Sequence, residues 1–217
     1  MEFVISGTPT TDMTFAETIS ALNTALPIAF NSTQPPALSA LGLLPKVKTL
    51  NEDFDSFGRL RQRLGTTVIT GIDTGTGLPT FGVDLLATPT EVAGRGEVQV
   101  WQIFNTTADT HPMHFHLVNV QVLSRQQFVE NNNGTFTLIP NTLVGPDANE
   151  RGWKETVRMN PGEVTTVIMK FDLPSGKSAP DSPRLQASYG IKGAEYVWHC
   201  HILEHEEHDM MHALVVT

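Results

Sequence analysis

The sequence predicts an all-β fold from about residue 58 onward, and three observations support this prediction. Short strand-like runs follow one another, turns that contain glycine or proline separate them, and no long helical pattern interrupts them. Short strands with regular turn signals are typical of a β-sandwich or a barrel. The predicted strands span residues 67–72, 98–104, 113–123, 155–159, 164–171, 196–201 and 213–216.

The first 56 residues have a different pattern. Residues 2–6 alternate enough to form a short strand, which Gly7 closes. Residues 14–26 begin with threonine and carry apolar residues at helical spacing, which predicts a short helix. Residues 27–56 contain several prolines and few regular patterns, which indicates a linker that lies over a surface.

Two long irregular segments interrupt the predicted strands, at residues 130–152 and 174–193. Loops of this length in a compact domain are usually functional lids or surface covers. We therefore expect each of them to cover part of the β-structure.

Composition excludes several classes of function. The chain has 14 basic and 23 acidic residues, and a net charge of -9 argues against a nucleic-acid surface. No apolar stretch is long enough to span a membrane, and the first residues do not resemble a signal peptide. A single cysteine excludes an intrachain disulfide, so cysteine usage does not indicate the cellular compartment.

All 8 histidines and the 1 cysteine lie in two short stretches, residues 111–116 and 199–212. Histidines that served only packing or solvation would be scattered along the chain. One thiolate, many imidazoles and a nearby thioether form the ligand set of a copper protein. The sequence therefore predicts copper binding.

Strand geometry divides these candidates between two centres. Side chains two apart on a strand point the same way, so His199 and His201 face one side of their predicted strand and Cys200 faces the other. The first set comprises His111, Cys200 and His205, and the second comprises His114, His116, His199 and His201.

The two sets suit different copper chemistry. The first needs only a weak axial ligand to become a blue-copper site, and Met210 supplies one at the spacing Cys-x4-His-x4-Met. The second has only imidazoles, which suits copper ions that handle oxygen. Because His199 and His201 flank Cys200, an electron that reaches the thiolate can cross to the second set through covalent backbone.

Alternative interpretations exist for the same residues. Zinc also binds histidine and cysteine, although structural zinc sites are usually richer in cysteine or have paired spacings. Met210 could fill the core, as methionines usually do, and Met211 is interpreted as a core residue. His208 and His212 fall outside the ligand pattern, and we interpret them as histidines on the surface or behind the ligands.

The two motifs together resemble the C-terminal domain of the multicopper oxidases, the family of laccases, bilirubin oxidase and bacterial spore-coat laccase. The family pattern is His-Pro-x-His-x-His followed by His-Cys-His-x3-His-x4-Met, and the chain matches every position. Residues 201–206 and 152–157 are similar to the bacterial laccase and bilirubin oxidase branch. The resemblance covers roughly residues 57–217 and implies a Greek-key β-sandwich of the cupredoxin type, preceded by a connector with a short helix.

The resemblance also implies a role for each ligand. The type 1 copper ligands would be His111, Cys200, His205 and Met210, the type 2 ligand would be His114, and the type 3 ligands would be His116, His199 and His201. An acid at the position of Glu206 lies near the oxygen site in similar proteins and relays protons. Glu206 is therefore the candidate catalytic residue, and a solvated surface acid is the alternative.

One departure from the family affects the whole interpretation. The family completes its trinuclear cluster with His-x-His pairs from an N-terminal domain, and nothing before His111 supplies them. Residues 1–9 resemble the last strand of a preceding cupredoxin domain, residues 10–56 the connector, and residues 57–217 the C-terminal domain with type 1 copper and half of the cluster. We therefore expect a truncation, a proteolytic piece or one half of a split enzyme, with N-terminal cupredoxin domains as partner.

The resemblance implies an oxidase that takes single electrons from phenolic or aromatic amine donors, or bile pigments, and reduces dioxygen to water. It alone suggests an extracytoplasmic location. A one-copper electron carrier lacks the histidines that flank Cys200, but it remains an alternative for this chain by itself. Copper nitrite reductase is disfavoured because its histidine after the cysteine lies further along the chain. A cuprous-ion oxidase is also disfavoured. Such enzymes usually carry a methionine-rich insertion, and neither long loop of this chain contains a methionine.

Overall fold

The computed structural model describes residues 42–173 and 180–217, together with residues 16, 17, 20, 39 and 40. The strand predicted at residues 2–6, and with it the assignment of residues 1–9 to a preceding domain, lies outside the described residues. Of the helix predicted at residues 14–26, the described positions 16, 17 and 20 are helical, and the others lie outside the described residues.

From residue 42 onward the described chain is mostly β-structure. Its strands are β1 (Lys46–Phe54), β2 (Leu60–Gly65), β3 (Gly71–Ile72), β4 (Pro79–Thr80), β5 (Glu91–Ala93), β6 (Val98–Asn105), β7 (His111–Phe115), β8 (Val120–Glu130), β9 (Phe136–Leu138), β10 (Trp153–Lys154), β11 (Thr156–Met159), β12 (Glu163–Lys170), β13 (Ala194–Cys200) and β14 (Met211–Val216). Two short helices, α1 (Pro183–Tyr189) and α2 (Leu203–Glu207), accompany them, with a 3-10 turn at Ala148–Glu150. No helix among the described residues is long and apolar enough to cross a membrane.

The strands form two main sheets that pack face to face as a β-sandwich, which confirms the predicted fold class. The larger sheet has the order β10-β8-β12-β6-β1-β2, and β9 pairs with β8. The smaller sheet has the order β11-β7-β13-β14-β5, and β3 and β4 form a separate ribbon. Most neighbours are antiparallel, while β1–β6 and β5–β14 are parallel pairs.

Aromatic side chains join the two sheets in the core. Trp101 on β6 and Trp198 on β13 belong to different sheets, and their rings meet edge to face with centroids 5.3 Å apart. Phe115 on β7 stacks on Trp198 at 6.1 Å. Such pairs contribute about 0.5–1.5 kcal/mol each beyond the burial of their surface. The same buried cluster contains Cys200 and Met210, so the metal-ligand candidates are part of the core.

The predicted connector, residues 10–56, extends too far. Its last part forms β1, which lies between β2 and β6 in the larger sheet and fully buries Leu50. The prediction was wrong here because it rested on prolines and on the lack of a regular pattern, and the charged side chains of Lys48 and Asp53 gave no sign of burial. Their charges are instead buried against Glu91 and Arg63, partners that the local pattern does not reveal.

Other boundaries also differ from the prediction. Of the strand predicted at residues 67–72, only residues 71–72 are a strand, β3. The longer strand in this region is β2, which ends at Gly65, before the predicted strand begins. The single strand predicted at 113–123 is two strands, since the chain turns at Leu117, with φ 72°, and passes from the smaller sheet to the larger one. The segment 130–152 contains β9 and the 3-10 turn, and the described part of 174–193 contains α1. The remaining predicted strands correspond to β6, β11, β12, β13 and β14.

Candidate metal centre

Two neighbouring strands of the smaller sheet carry most of the candidate ligands. Strand β7 pairs with β13 so that His114 lies opposite His199 and Met113 opposite Cys200. Because successive side chains on a strand alternate, this register turns the histidines at 114 and 199 to one face and Cys200 to the other. The chain after β13 then continues through α2 to β14.

The first cluster is compact and buried. Cys200 Sγ lies 3.5 Å from His111 Nδ1 and 3.7 Å from His205 Nδ1, and the two nitrogens are 3.2 Å apart. The centre of a triangle with these sides lies about 2 Å from each atom, close to the metal–nitrogen and metal–sulfur bond lengths in proteins. One thiolate and two imidazoles in this arrangement fit the trigonal plane of a blue-copper site.

Backbone hydrogen bonds within residues 200–210 hold Met210 next to this cluster. The amide of Cys200 donates to the carbonyl of Met210 at 3.0 Å, and the amide of Met210 donates to the carbonyl of His205 at 2.9 Å. Asp209 has a φ of 64°, which closes the turn between α2 and β14. The side chain of Met210 is fully buried in the cluster that contains Cys200. Its neighbour Met211 was predicted as a core residue, but it is only half-buried.

Burial controls the protonation of this first cluster. It raises the pKa of the Cys200 thiol, although the amide of Ile202 donates to the sulfur at 3.4 Å and opposes this effect. Burial and the nearby charge of His205 lower the pKa of His111 to about 4. His111 is therefore neutral at pH 7, as a metal ligand must be, whereas Cys200 must lose a proton when a metal binds.

The second cluster lies on the opposite face of the same strands. Ligand atoms of His114, His199 and His201 lie within 4.8 Å of one another. His116 joins them, because its Nε2 is 3.2 Å from the Nε2 of His199. This group of imidazoles can hold a metal ion.

Hydrogen bonds to carbonyl oxygens orient two of these rings. His114 Nδ1 donates to the carbonyl of Glu155 at 3.0 Å, and His199 Nδ1 donates to the carbonyl of Cys200 at 2.9 Å. A carbonyl oxygen can only accept, so each Nδ1 carries the proton and each Nε2 is free to bind a metal.

This second cluster is open to solvent on one side. His199 is buried, whereas His116 and His201 are exposed. Neighbouring side chains shield the ring of His116 in part from water, which lowers its pKa, and the imidazole of His114 acts in the same direction. A recess of about 320 Å³, lined by His114, His116, Glu155 and Tyr196 among others, lies beside the cluster.

Glu206 lies beside the second cluster, although it follows His205 of the first cluster in the chain. Its Oε2 is 3.6 Å from Nδ1 of His199 and 3.8 Å from Nδ1 of His201. The side chain is partly exposed, so its carboxylate contacts both the imidazoles and solvent.

The two histidines outside the ligand pattern have different surroundings. His208 is exposed at the end of α2. His212 is buried, and its Nδ1 lies 2.6 Å from Oε2 of Glu91. The sequence reasoning also missed Thr107 and Asp109, which contact the rings of His111 and His205 from the loop before β7. Their proximity to the histidine motif was the only available signal.

Comparison with known proteins identifies the family of the chain. Residues 66–217 match the family model described as multicopper oxidase. The chain belongs to the multicopper oxidase family. Copper is the metal of this family, and the donor set of the first cluster fits it.

Individual multicopper oxidases match over a similar region. The chain is 36% identical to "Laccase" of Bacillus subtilis (strain 168) over 133 residues, which cover 59% of this chain and 22% of that protein. It is 32% identical to "Multicopper oxidase LPR1" of Arabidopsis thaliana over 165 residues, which cover 68% of this chain and 27% of that protein. The chain thus matches 22–27% of the length of these relatives.

A solved structure supports the fold of this multicopper oxidase chain. The McoA multicopper oxidase from the hyperthermophile Aquifex aeolicus superposes with a TM-score of 0.52 at 21% sequence identity. The likeness covers 84% of this chain and 31% of that one. At this identity the likeness concerns the fold alone.

Proposed function

We propose that the chain is the C-terminal part of a laccase-like multicopper oxidase that oxidises phenolic or aromatic amine donors and reduces dioxygen to water. In this proposal His111, Cys200, His205 and Met210 hold type 1 copper, His114 holds type 2 copper, and His116, His199 and His201 hold the type 3 pair. The similarity to a Bacillus subtilis protein named "Laccase" supports the donor class.

The observation that carries the proposal is the connection between the two clusters through Cys200. Its sulfur belongs to the first cluster, and its chain neighbours His199 and His201 belong to the second. Its carbonyl also accepts a hydrogen bond from His199 Nδ1 at 2.9 Å, which gives a second short route between the clusters. A protein that only stored copper would not need two clusters joined in this way.

The two clusters would have different roles, one in electron transfer and one in oxygen reduction. Bound copper would supply one-electron chemistry at the first cluster and oxygen reduction at the second. His111 and His205 would bind through Nδ1, while His114 and His199 would bind through Nε2 because their Nδ1 protons are committed to carbonyls. The buried position of Cys200 would keep water away from the thiolate.

Glu206 is the proposed proton relay of the second cluster. Its carboxylate lies within 4 Å of the Nδ1 atoms of His199 and His201, at 3.6 and 3.8 Å, and it also reaches solvent. A carboxylate in this position can hold a proton taken from water and deliver it towards the imidazole cluster.

We further propose that N-terminal cupredoxin domains dock over the second cluster and supply the missing ligands. The exposed imidazoles of His116 and His201 and the recess beside His114 support this docking face. The partner would be a separate chain or another segment of the same enzyme.

Oxygen uptake with a phenolic donor tests the proposal. The copper-loaded chain should be blue but should consume little or no oxygen by itself. Addition of a fragment with two His-x-His pairs should restore oxygen uptake, and the same addition to a Cys200→Ser variant should not. Full turnover by the chain alone would contradict the proposed division of the second cluster between two fragments.

An isolated electron-transfer domain is the second candidate, because the first cluster draws all of its candidate ligands from this chain. In that case the copper-loaded chain would exchange single electrons with a redox partner. Oxygen uptake would stay absent whichever N-terminal fragment is added, which distinguishes the two candidates.

A further inference from the structure

A buried polar network lies behind the ring of His111, on the side away from Cys200. It is formed by Asn105, the last residue of β6, and Thr107 in the following loop. Asn105 is fully buried, Thr107 is 6% exposed and His111 is fully buried. Water therefore has little access to the hydrogen bonds among these three side chains.

The orientation of the Asn105 amide follows from its donors. Its Nδ2 donates to the carbonyl of Asp109 at 2.7 Å and to the carbonyl of Met159 at 3.0 Å. Both partners can only accept, so the nitrogen must face them and the Oδ1 must face Thr107. Oδ1 then accepts from the amide of Thr107 at 3.0 Å.

The direction of the contact with His111 depends on where the single hydroxyl hydrogen of Thr107 lies. Thr107 Oγ1 donates to Asn105 Oδ1 at 2.8 Å, and the other acceptor near the hydroxyl is the carbonyl of Asp109 at 3.3 Å. Either bond uses the single hydroxyl hydrogen of Thr107. With the hydroxyl hydrogen on Asn105 Oδ1, the hydroxyl oxygen accepts at the 2.6 Å contact with His111 Nε2, and the ring nitrogen carries the hydrogen. The opposite direction would place the hydroxyl hydrogen on Nε2 and leave the amide of Thr107 as the donor to Oδ1.

We propose that Asn105 and Thr107 are positioning residues that hold His111 as its Nε2–H tautomer, with an unprotonated Nδ1 directed at Cys200 and His205. This inference rests on the proposed type 1 copper site. A ring held in this tautomer is ready to bind copper without rotation or loss of a proton. Partners behind a ligating imidazole also make it a stronger donor, and their loss typically weakens metal binding about 10- to 100-fold.

The tautomer can be measured directly in the metal-free chain. Nitrogen-15 spectra of the histidine rings at pH 7 should show His111 as the Nε2–H form. An Nδ1–H form would overturn the proposal, and this measurement needs no variant that could fail to fold.

Substitution at Thr107 tests the effect on copper. Thr107→Val keeps the shape of the side chain but leaves Nε2–H without its acceptor, so copper affinity measured against a competing chelator should fall about 10- to 100-fold. The blue absorption band and the reduction potential should also shift. Thr107→Ser keeps the hydroxyl and should restore all three properties to near their original values.

A matched control is available at Thr165 on β12. Thr165 is also buried, and among the described residues its hydroxyl has no hydrogen-bond partner. Thr165→Val should leave copper affinity and the absorption band unchanged. If Thr107→Val behaves like Thr165→Val, the network does not position His111. If the unmodified chain itself fails to form a blue copper site, the proposed function fails instead.

Discussion

A buried charge cluster ties the two sheets together and gives a prediction for stability. Glu91 on β5 lies 2.6 Å from Lys48 Nζ on β1 and 2.6 Å from His212 Nδ1 on β14, and each side chain is at most 3% exposed. Burial alone would raise the pKa of Glu91, but the hydrogen bond from His212 and the charge of Lys48 outweigh it. The pKa falls from its ordinary 4.5 to about 2.

Glu91→Gln keeps the size of the side chain and removes its charge, which leaves Lys48 buried without a counter-charge. The pKa difference of Glu91 corresponds to about 3 kcal/mol, since a tenfold change in proton affinity is worth about 1.4 kcal/mol. Removal of one partner from a buried pair typically costs about 3–5 kcal/mol. We therefore expect Glu91→Gln to lower the free energy of unfolding by about 3 kcal/mol at pH 7.

The loss should depend on pH in a defined direction. The folded-state pKa of Glu91 is lower than the unfolded one, so the carboxylate stabilises the fold fully above about pH 4.5. This contribution declines as the pH falls towards about 2. Urea denaturation of the metal-free protein should therefore show a difference between Glu91→Gln and the unmodified chain that is large at pH 7 and smaller at pH 3.

An exposed ion pair provides the control. Lys170 and Asp172 are 2.7 Å apart, but their side chains are 44% and 57% exposed, so Asp172→Asn should change stability by no more than about 1 kcal/mol. Lys48→Met combined with Glu91→Gln should recover part of the loss, because no unpaired lysine then remains in the interior. A Glu91→Gln variant as stable as Asp172→Asn would refute the reasoning.

The remaining predictions concern the metal centre. Cys200→Ser should abolish the blue band and the narrow copper hyperfine signal without unfolding the protein; a variant that stays blue would exclude Cys200 as ligand. The Met210→Leu variant should stay blue and have a higher reduction potential, because a weak axial donor to Cu(II) is lost. An unchanged or lower potential in a redox titration would exclude Met210 as the axial ligand. Copper affinity should rise with pH through the neutral range, by up to about tenfold per pH unit, because burial raises the pKa of Cys200 and binding releases its proton. Equal affinities at pH 6 and pH 8, measured by chelator competition, would contradict this prediction. In the reconstituted enzyme, Glu206→Gln should slow oxygen uptake about 100-fold while the blue band persists, and unaltered uptake would leave Glu206 as a surface acid.

Features that depend on strand periodicity could be predicted from the sequence. The alternation of side chains separates Cys200 from His199 and His201 whatever the rest of the fold does. The structure places His111 with Cys200, and His114 with His199 and His201, on the faces that this alternation predicts, while His205 joins Cys200 from a helix. The ligand types depend on the residues themselves, so copper could be predicted before any distance was known.

Features that depend on partners distant in the chain could not be predicted in this way. The linker prediction included the residues of β1, whose Lys48 is neutralised in the core by Glu91, which lies on the other sheet and 43 residues away. The polar loop that holds His111 was missed for the same reason, since Asn105 acquires its orientation from the carbonyl of Met159, 54 residues further along the chain.

The sequence by itself therefore predicted copper as the metal, the β-sandwich class and the distribution of the candidate ligands over two faces, because ligand type and strand periodicity are local properties. Only the tertiary structure decided that residues 46–54 form a strand of the larger sheet, how charges are neutralised in the core, and which nitrogen of His111 faces Cys200. These features depend on the register of β7 against β13 and on the packing of one sheet over the other, which bring distant residues to within hydrogen-bond distance.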